Sequence, residues 1–351
     1  MTVPLPIVPP AFQNELLGSW IQRAASLYDL SAHQLLDRWM AGPCPKTAWV
    51  PSVEMRVLAG RAMTLVADHM RASSSSVASM LPDHSDWLVA CDDDVAVCLQ
   101  CLLDDDAAGA PRFRRRDWAE CWRVRCLSHR AILVDMPDWR SCRLVPADKG
   151  RALQRNASGK IVEVGQSSAS RLNHGASVRV AVALEAIAQM EVAIGGALAG
   201  RSPHAPSWGD IDATEFLEVV RDLTTFLLSG FSFIDPKPLC SKDLYRYRDD
   251  AVTRCFERSR PRCMGSELDE TSTMASLPRV GSVGWRRSAL FWARELMHAR
   301  TARPWLALPL KRDRQLRQSM VLKRQTQTGI DWLADRMRRW PKRYRNQRWR
   351  D

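Results

Sequence analysis

The segment Cys98-Leu-Gln-Cys101 is followed, twenty-four residues later, by Cys126-Leu-Ser-His129. These two pairs, of the C-x-x-C and C-x-x-H types, supply three thiolates and one imidazole, a set that suits the tetrahedral coordination of Zn²⁺. Because the protein fills all four positions, no place remains for a catalytic water. The sequence therefore predicts one structural zinc site that organises the surrounding chain.

The chain has ten cysteines in 351 residues, and their spacing decides between metal binding and simple burial. Cys91 and Cys121 lie close enough in sequence to replace one of the four ligands, and this alternative stays open. Cys142 has no cysteine or histidine three residues away, so a second finger is not expected. The competing interpretation, that the four residues are only small buried side chains, does not explain the matched pairs.

Positive charge is concentrated at the C-terminal end of the sequence. The formal net charge is +12, and residues 311–351 contain fourteen Lys or Arg against four Asp, which is +10 of that total. A basic excess confined to one segment acts as a local surface for polyanions, since screening at 0.1 M salt limits its reach to about 10 Å. DNA is therefore the first partner to expect.

The sequence does not favour a membrane or secreted protein. Arg179, Glu185 and Glu191 interrupt the apolar stretch 178–198, so it is unsuited to a bilayer core. Residues 1–12 are rich in proline and carry no basic residue, unlike a secretory signal. We expect a cytoplasmic protein with no membrane partner.

Hydrophobic periodicity favours a mostly α fold. The expected order is an N-terminal helical domain with a helix-turn-helix-like unit over 1–90, a zinc knuckle over 91–145, a loop or linker over 146–176 with a short strand at 160–164, a C-terminal helical domain over 177–310 and a basic tail over 311–351. Asn14 and Ser31 are expected to cap the first two helices. Long helices are expected over 177–198, 214–228 and 283–299.

Apolar residues within 66–80 fall where a helix-turn-helix unit buries its side chains, and the serine run at 73–76 can cap the second helix. That helix offers hydroxyl groups rather than the Arg, Lys, Asn or Gln side chains that read base edges. A packing or protein-contact role is therefore as reasonable as DNA reading. His69 is expected to be a surface side chain rather than a ligand.

The basic tail combines arginine with aromatic residues. Residues 328–340 fit a helix, and beyond it basic side chains alternate with Tyr344 and Trp349. This mixture suits phosphate contact and base stacking without sequence reading. The candidate nucleic-acid residues are Arg336, Arg338, Arg339, Lys342, Arg343, Arg345, Arg348 and Arg350. The alternative is a solvated basic end with no specific partner.

Two stretches resemble the TniQ family, which includes the TnsD proteins. The first is the opening Pro9-Pro-Ala-Phe-Gln-Asn-Glu-Leu-Leu-Gly-Ser-Trp20, similar to that family's proline, acidic residue and Leu-Leu-Ser-Trp start. The second is the zinc segment, which looks like the family's finger in the order Cys98, Cys101, Leu102, Asp104, Gly109, Phe113, Arg114 to Arg116, Trp118, Trp122, Cys126, His129 and Leu133. Several family members carry a second finger that has no counterpart in this chain.

The resemblance implies a protein without catalytic activity that selects the target site of a DNA transposon. Such proteins recruit an AAA+ ATPase regulator, which brings a separate DDE-type transposase. Some relatives bind attachment-site DNA and others dock on an RNA-guided CRISPR effector complex; this choice, the target sequence and a homodimer all stay open. Part of the ATPase contact is expected at Pro9, Pro10 and Phe12, although Phe12 could equally pack against the first helix.

Enzyme motifs are missing from the sequence. It contains no P-loop, nucleophile-elbow or H-E-x-x-H pattern, so we expect no enzyme activity. The triple-Asp runs at 92–94 and 104–106 are expected to be solvated loops, because consecutive carboxylates do not converge on one ion. Two alternatives to the adaptor remain: a zinc-containing DNA-binding transcription regulator and a metal-dependent nuclease.

Overall fold

The computed structural model describes residues 4–40, 51–59, 62–90, 96–136, 139–140, 143–147, 151–155, 161–164, 174–205, 209–228, 277–280, 283–298 and 332–340. The chain divides into two compact units. The first consists of residues 1–166 and 278–283, and the second of residues 167–277 and 284–351. Helices predominate among the described residues, which confirms the mostly α prediction.

Five short helices form the N-terminal part of the first unit: α1 (Leu17–Ser26), α2 (Ala32–Trp39), α3 (Val53–Ala59), α4 (Met63–His69) and α5 (Ser74–Ser79). Their apolar faces meet in one core, whose fully buried members include Leu17, Ile21, Leu36, Val57, Val66 and Val77. Burial of this many aliphatic side chains is the main stabilising contribution that such short helices can obtain.

Helix α1 does not begin as predicted, because Asn14 is not its cap. The cap position is Leu16, whose side chain makes no capping hydrogen bond. Instead, the Glu54 carboxylate of α3 accepts a hydrogen bond from the Gly18 N–H at 2.6 Å, which satisfies one of the free donors at the helix start. A Cβ atom at position 18 would lie 2.6 Å from the same Glu54 oxygen, so a larger residue would displace the Glu54 carboxylate from this contact.

Two other caps agree with the predictions. The Ser31 side chain accepts a hydrogen bond from the Gln34 N–H, and the Gln34 side chain accepts one from the Ser31 N–H, which is a capping box at the start of α2. Ser73 accepts a hydrogen bond from the Ser76 N–H at the start of α5. Local side-chain chemistry therefore determines where these two helices begin.

His69 is buried rather than exposed, which contradicts the prediction for it. Its ring stacks on Trp39, with the ring centroids 4.7 Å apart and the planes 5° apart. Only 8% of His69 is accessible. The contact joins α2 to the end of α4, so His69 contributes to the core between these helices.

The cysteine-containing segment has little regular structure. It starts with strand β1 (Ala96–Val97) and helix α6 (Leu99–Ala107), and it ends with strand β2 (Val134–Asp135). The two strands pair antiparallel. Between them the chain runs through a 3-10 turn (Arg116–Ala119) and a tight turn that carries the second ligand pair.

A distant segment completes the first unit. The Ala90 N–H donates a hydrogen bond to the Pro278 carbonyl at 2.7 Å, and the Val283 N–H donates one to the Asp135 carboxylate at 2.6 Å. Residues 278–283 therefore belong to the unit that contains the knuckle, although about 110 residues of the second unit separate them from it in sequence.

Residues 146–176 were expected to form a loop or linker, and for the first part of this range that expectation is wrong. Strands β3 (Arg143–Ala147), β4 (Arg151–Arg155) and β5 (Ile161–Val164) form an antiparallel sheet in that order. Strand β5 confirms the short strand predicted at 160–164. Strand β4 was not predicted because Arg and Gln make up three of its five residues, although antiparallel pairing still satisfies its main chain. Strand β3, Arg-Leu-Val-Pro-Ala, contains a proline, which disfavours a strand prediction.

The second unit contains four helices among its described residues. They are α7 (His174–Leu198), α8 (Ala213–Leu228), α9 (Val283–His298, in this unit from Gly284 on) and α10 (332–339). The first three agree closely with the predicted long helices. A two-residue hairpin pair, β6 (His204–Ala205) with β7 (Gly209–Asp210), lies between α7 and α8. No helix in the described part of the chain is long and apolar enough to cross a bilayer.

Candidate metal centre

Helix α6 and one turn bring the two predicted ligand pairs together. Cys98 is the N-cap residue of α6 and Cys101 lies in its first turn. Cys126 and His129 lie within the turn that the bridge between Arg125 and Ile132 closes. The three sulfur atoms and one imidazole nitrogen all lie within 4.8 Å of one another.

The spacing of these atoms matches a four-coordinate metal site. The Sγ atoms of Cys101 and Cys126 are 3.6 Å apart, and His129 Nδ1 lies 3.7, 3.2 and 3.8 Å from the sulfurs of Cys98, Cys101 and Cys126. In a tetrahedral zinc site, two sulfurs lie about 3.8 Å apart and a sulfur and a nitrogen about 3.5 Å apart. A disulfide requires about 2.05 Å, so the cysteines are not bonded to each other. The donor set therefore fits a metal ion of the size and preference of zinc.

Close packing of the three thiols redistributes their protons. Hydrogen bonds from Cys101 and Cys98 lower the pKa of Cys126 well below its usual range. The pKa of Cys101 is raised, chiefly because its proton is held in the hydrogen bond to Cys126. The pKa of Cys98 is raised to about 11, because its bond to Cys126 and its burial outweigh the opposing bond to Cys101. Metal binding would release the remaining thiol protons, because the thiolate is the form that ligates a metal ion.

A carboxylate orients the histidine ligand. Asp104 Oδ2 lies 2.9 Å from His129 Nε2, while Nδ1 of the same ring points into the sulfur cluster. This arrangement keeps the ring proton on Nε2 and leaves Nδ1 as the electron-pair donor. This role of Asp104 was not predicted from the sequence. The signal was available, since Asp104 follows Cys101 by three residues and so shares its face of a helix.

The expectation that residues 104–106 form a solvated loop is wrong. They lie in the last turns of α6, and each carboxylate has its own partner. Asp105 accepts two hydrogen bonds from the Arg115 guanidinium, both at 2.6 Å, and Asp106 accepts two from Arg112. Consecutive helical residues point in different directions, so the run attaches α6 to three separate parts of the knuckle. The other triple-Asp run, 92–94, lies outside the described residues.

The N-terminal stretch packs directly on the knuckle. The Phe12 ring stacks on Phe113 with the centroids 4.8 Å apart, and the Arg23 guanidinium lies 4.3 Å from the same Phe12 ring. The Leu16 N–H donates a hydrogen bond to the Arg114 carbonyl at 2.8 Å, and the Arg116 N–H donates one to the Asn14 carbonyl. The Phe12 side chain therefore serves the fold of this unit, in a contact that includes α1.

Buried charged side chains lie where the N-terminal stretch packs on the knuckle. The Glu15 side chain is fully buried and accepts hydrogen bonds from Arg23 at 2.9 and 2.6 Å. Asn14, whose φ is +59°, donates a side-chain hydrogen bond to Asp117 at 3.1 Å. Burial raises the pKa of Asp117 and that of Glu120. Paired groups such as these tie the N-terminal stretch to the knuckle in a fixed register.

The predicted nucleic-acid residues occupy different environments. Arg336 donates a hydrogen bond to the buried Asp222 at 2.8 Å, and this ion pair attaches α10 to α8. Arg338 and Arg339 are largely exposed, and among the described residues their ion-pair partner is the exposed Asp335. Residues Lys342, Arg343, Arg345, Arg348 and Arg350 lie outside the described residues. Of the three described residues, only Arg338 and Arg339 are exposed enough to contact phosphate freely.

Among the residues that the structure describes, Cys98, Cys101, Cys126 and His129 form the single cluster able to hold a metal ion. Cys121 is buried and outside the cluster, so it does not replace a ligand. Cys91 and Cys142 are not among the described residues. The chain matches no protein-family model, no curated protein and no solved structure.

Proposed function

We propose that this protein is a non-enzymatic adaptor for target-site selection in DNA transposition. It would link target DNA, or a CRISPR effector complex on that DNA, to an AAA+ ATPase regulator and a separate transposase. One observation carries the proposal. The two stretches that resemble the TniQ family are about 80 residues apart in sequence, yet they pack together through Phe12, Phe113 and the main chain around Leu16.

Packing of this kind supports a single functional module. If each stretch resembled the family only by chance, the two stretches would not need to contact each other. If both belong to one module of the family's kind, they are expected to pack together. The contacts include a buried ion pair, an aromatic stack and main-chain hydrogen bonds, which together specify one arrangement.

The metal in this proposal is zinc, held by Cys98, Cys101, Cys126 and His129. Three thiolates and an imidazole form a closed set in which zinc stabilises the fold. A metal-dependent nuclease would instead need carboxylates that converge on an ion with open positions. Asp105 and Asp106 are paired with arginines and Asp104 with His129, which disfavours that alternative.

A transcription regulator is the second candidate, and α5 bears on it. A regulator of the helix-turn-helix type would present a reading helix with base-specific side chains. Helix α5 is six residues long and exposes serines at 74–76 and 79. This helix therefore suits a packing role better than base reading, which favours the adaptor.

Ile7 is an exposed large apolar residue among the described residues of the N-terminal stretch. The residue is 65% exposed, while its main-chain N–H and carbonyl both bond to the Tyr28 hydroxyl at 2.8 Å. An exposed apolar side chain on a fixed backbone suits protein contact. We therefore move the proposed ATPase contact from Phe12 to Ile7.

The proposal predicts an AAA+ ATPase gene beside the gene for this chain, and capture of that ATPase tests the proposal. The full zinc-loaded chain should retain the ATPase from purified components, and Ile7→Glu should reduce capture by about tenfold. Val192→Glu is the matched control, because Val192 is 72% exposed and lies in α7 of the second unit. Equal capture of the ATPase by both variants would show that Ile7 does not contact it. No capture by the unaltered chain would favour the transcription regulator.

A further inference from the structure

The exposed side of α7 lines a groove of about 400 Å³ in the second unit. Its lining comes from α7 between Glu185 and Gly196 and from Arg201, Ser202 and Pro203, which follow the helix. The helical part of the groove is about 16 Å long, because an α-helix rises about 1.5 Å per residue. None of the four metal ligands lines it.

Helix α7 is apolar on its outer side as well as on the side that faces the core. Residues 186–198 include two polar side chains, Gln189 and Glu191, and Glu191 is buried. Val192, in the middle of the groove, is 72% exposed, and a Cβ atom built on Gly196 would meet no atom within 4 Å. A helix that is apolar all round is normally covered on all sides. The outer face of α7 therefore suits contact with another apolar surface.

Opposite charges lie at the two ends of the groove. Glu185 is exposed at the N-terminal end, and its carboxylate accepts a hydrogen bond from Gln189 at 3.2 Å. At the other end the chain turns at Gly200, whose φ is +74°, and the Arg201 N–H donates a hydrogen bond to the Gly196 carbonyl at 2.9 Å. This turn keeps the exposed Arg201 beside the last turns of α7. In the part of the chain that the structure describes, neither Glu185 nor Arg201 has an ion-pair partner.

The groove is complementary to a second copy of itself. When two α7 helices pack antiparallel about a twofold axis near residues 192–193, Glu185 of each copy lies opposite Arg201 of the other. The same arrangement sets Gln189 opposite Gly196, where there is room for a side chain. Both pairings follow from the spacing, since each pair is centred on residues 192–193. A twofold contact uses one patch twice, so the two ends form two ion pairs.

We propose that the outer face of α7 forms a twofold contact between two copies of this chain. The contact goes beyond the adaptor function and does not depend on it. A face of this length is smaller than a standard interface, so it supports a weak dimer with a dissociation constant on the order of 10 μM. The end charges set the orientation, because a parallel pair would place Glu185 against Glu185 and Arg201 against Arg201.

Sedimentation equilibrium of the full zinc-loaded chain tests the contact, over about 1 to 200 μM so that the range brackets the expected constant. Glu185→Arg and Arg201→Glu should each raise the dissociation constant of the dimer about tenfold at low salt, because each places like charges at both ends. An equimolar mixture of the two variants should restore the dimer, since every pair then joins opposite charges. The matched control is Glu218→Arg, the same reversal at an exposed residue of α8 outside the groove, which should leave the constant unchanged.

The mixture separates a contact from a role in folding, because a second chain cannot rescue a residue that only supports its own helix. The contact is wrong if the chain stays monomeric over the whole range, if the reversals act no more strongly than Glu218→Arg, or if the mixture dimerises no better than its components. Loss of ATPase capture by Glu185→Arg in a monomeric chain would assign the groove to the ATPase and overturn the dimer. Capture is measured far below the dissociation constant of the dimer, where single chains predominate, so Val192→Glu remains the control for Ile7.

Discussion

At the scale of single residues, most of the chemistry of the first unit lies in four ligands and the carboxylate behind one of them. Cys98, Cys101, Cys126 and His129 come together at distances that suit a metal ion, and Asp104 fixes the tautomer of the imidazole. Paired ligand spacing made the cluster predictable, because the pattern itself encodes the coordination number.

The metal content of two cysteine variants tests the cluster. The full chain should hold about one zinc, and Cys126→Ser should lose it and become protease-sensitive, since a ligand is removed from a closed set. Cys121→Ala is the control, because Cys121 is also buried but stands outside the cluster. Elemental analysis of the purified proteins gives the answer. Equal zinc content in both variants, or no zinc in the unaltered chain, would show that these four residues do not form a zinc site.

Asp104 should tune the affinity of the site without being a ligand. We expect Asp104→Asn to weaken zinc binding by about 10- to 100-fold, because the amide no longer holds the imidazole in the required tautomer. Asp106→Asn is matched in chemistry and lies in the same helix, but its partner is Arg112. Competition with a chromogenic chelator measures both. Identical zinc affinities of the two variants would show that Asp104 does not orient the His129 ring.

Single residues also mark the limit of prediction from sequence. The Ser31 and Ser73 caps were predictable because their partners lie three residues away. Asn14 was assigned wrongly, because its partner Asp117 lies 103 residues away and the start of α1 is satisfied by Glu54 from another helix. Local propensity cannot show when a tertiary contact replaces a local one.

At the scale of secondary structure, the long helices of the second unit were predictable and their attachments were not. Apolar periodicity places α7, α8 and α9 within a few residues of their actual bounds. It does not show that Asp222, buried in α8, accepts hydrogen bonds from both Arg336 and Trp340 of the last described segment. Arginine in a basic tail is easily mistaken for a phosphate ligand when its partner is far away in sequence.

The Asp222 contacts should hold α10 in place. Asp222→Ala removes the acceptor for two donors and should destabilise the second unit by about 1–3 kcal/mol, with earlier proteolysis near residues 332–340. Asp335→Ala is the control, because its pairs with Arg338 and Arg339 are exposed. Chemical denaturation and limited proteolysis follow both variants. Equal protease resistance of the two would mean that α10 is held by other contacts.

At the scale of the whole molecule, the chain divides into two units whose boundaries the sequence predicted only in part. The linker expected over 146–176 begins with strands, and residues 278–283 return to the first unit. No local pattern predicts this return, because the contacts at Pro278 and Val283 are a main-chain hydrogen bond from Ala90 and a hydrogen bond to the Asp135 carboxylate. The association of the N-terminal stretch with the knuckle was not predicted, because its contacts join residues about 100 positions apart in sequence.

The tail should supply salt-dependent DNA affinity. Replacing Lys342, Arg343, Arg345, Arg348 and Arg350 by glutamine should lower the salt slope by up to about four or five and leave sequence preference unchanged. Arg336 is kept, since it serves the Asp222 ion pair. Anisotropy titrations with two unrelated duplexes measure slope and preference together. An unaltered slope would show that the tail does not contact phosphate.

The mapping of transposon insertions tests target-site selection most directly. The adaptor function predicts that an AAA+ ATPase, a DDE-type transposase and a donor element are encoded near this chain. These components are combined with target DNA, with and without the zinc-loaded protein, and the insertion sites are sequenced. We predict that insertions concentrate at one site when the protein is present, and that they scatter or disappear when it is omitted or replaced by Cys126→Ser. The same frequency and distribution of insertions with and without the protein would contradict the adaptor function.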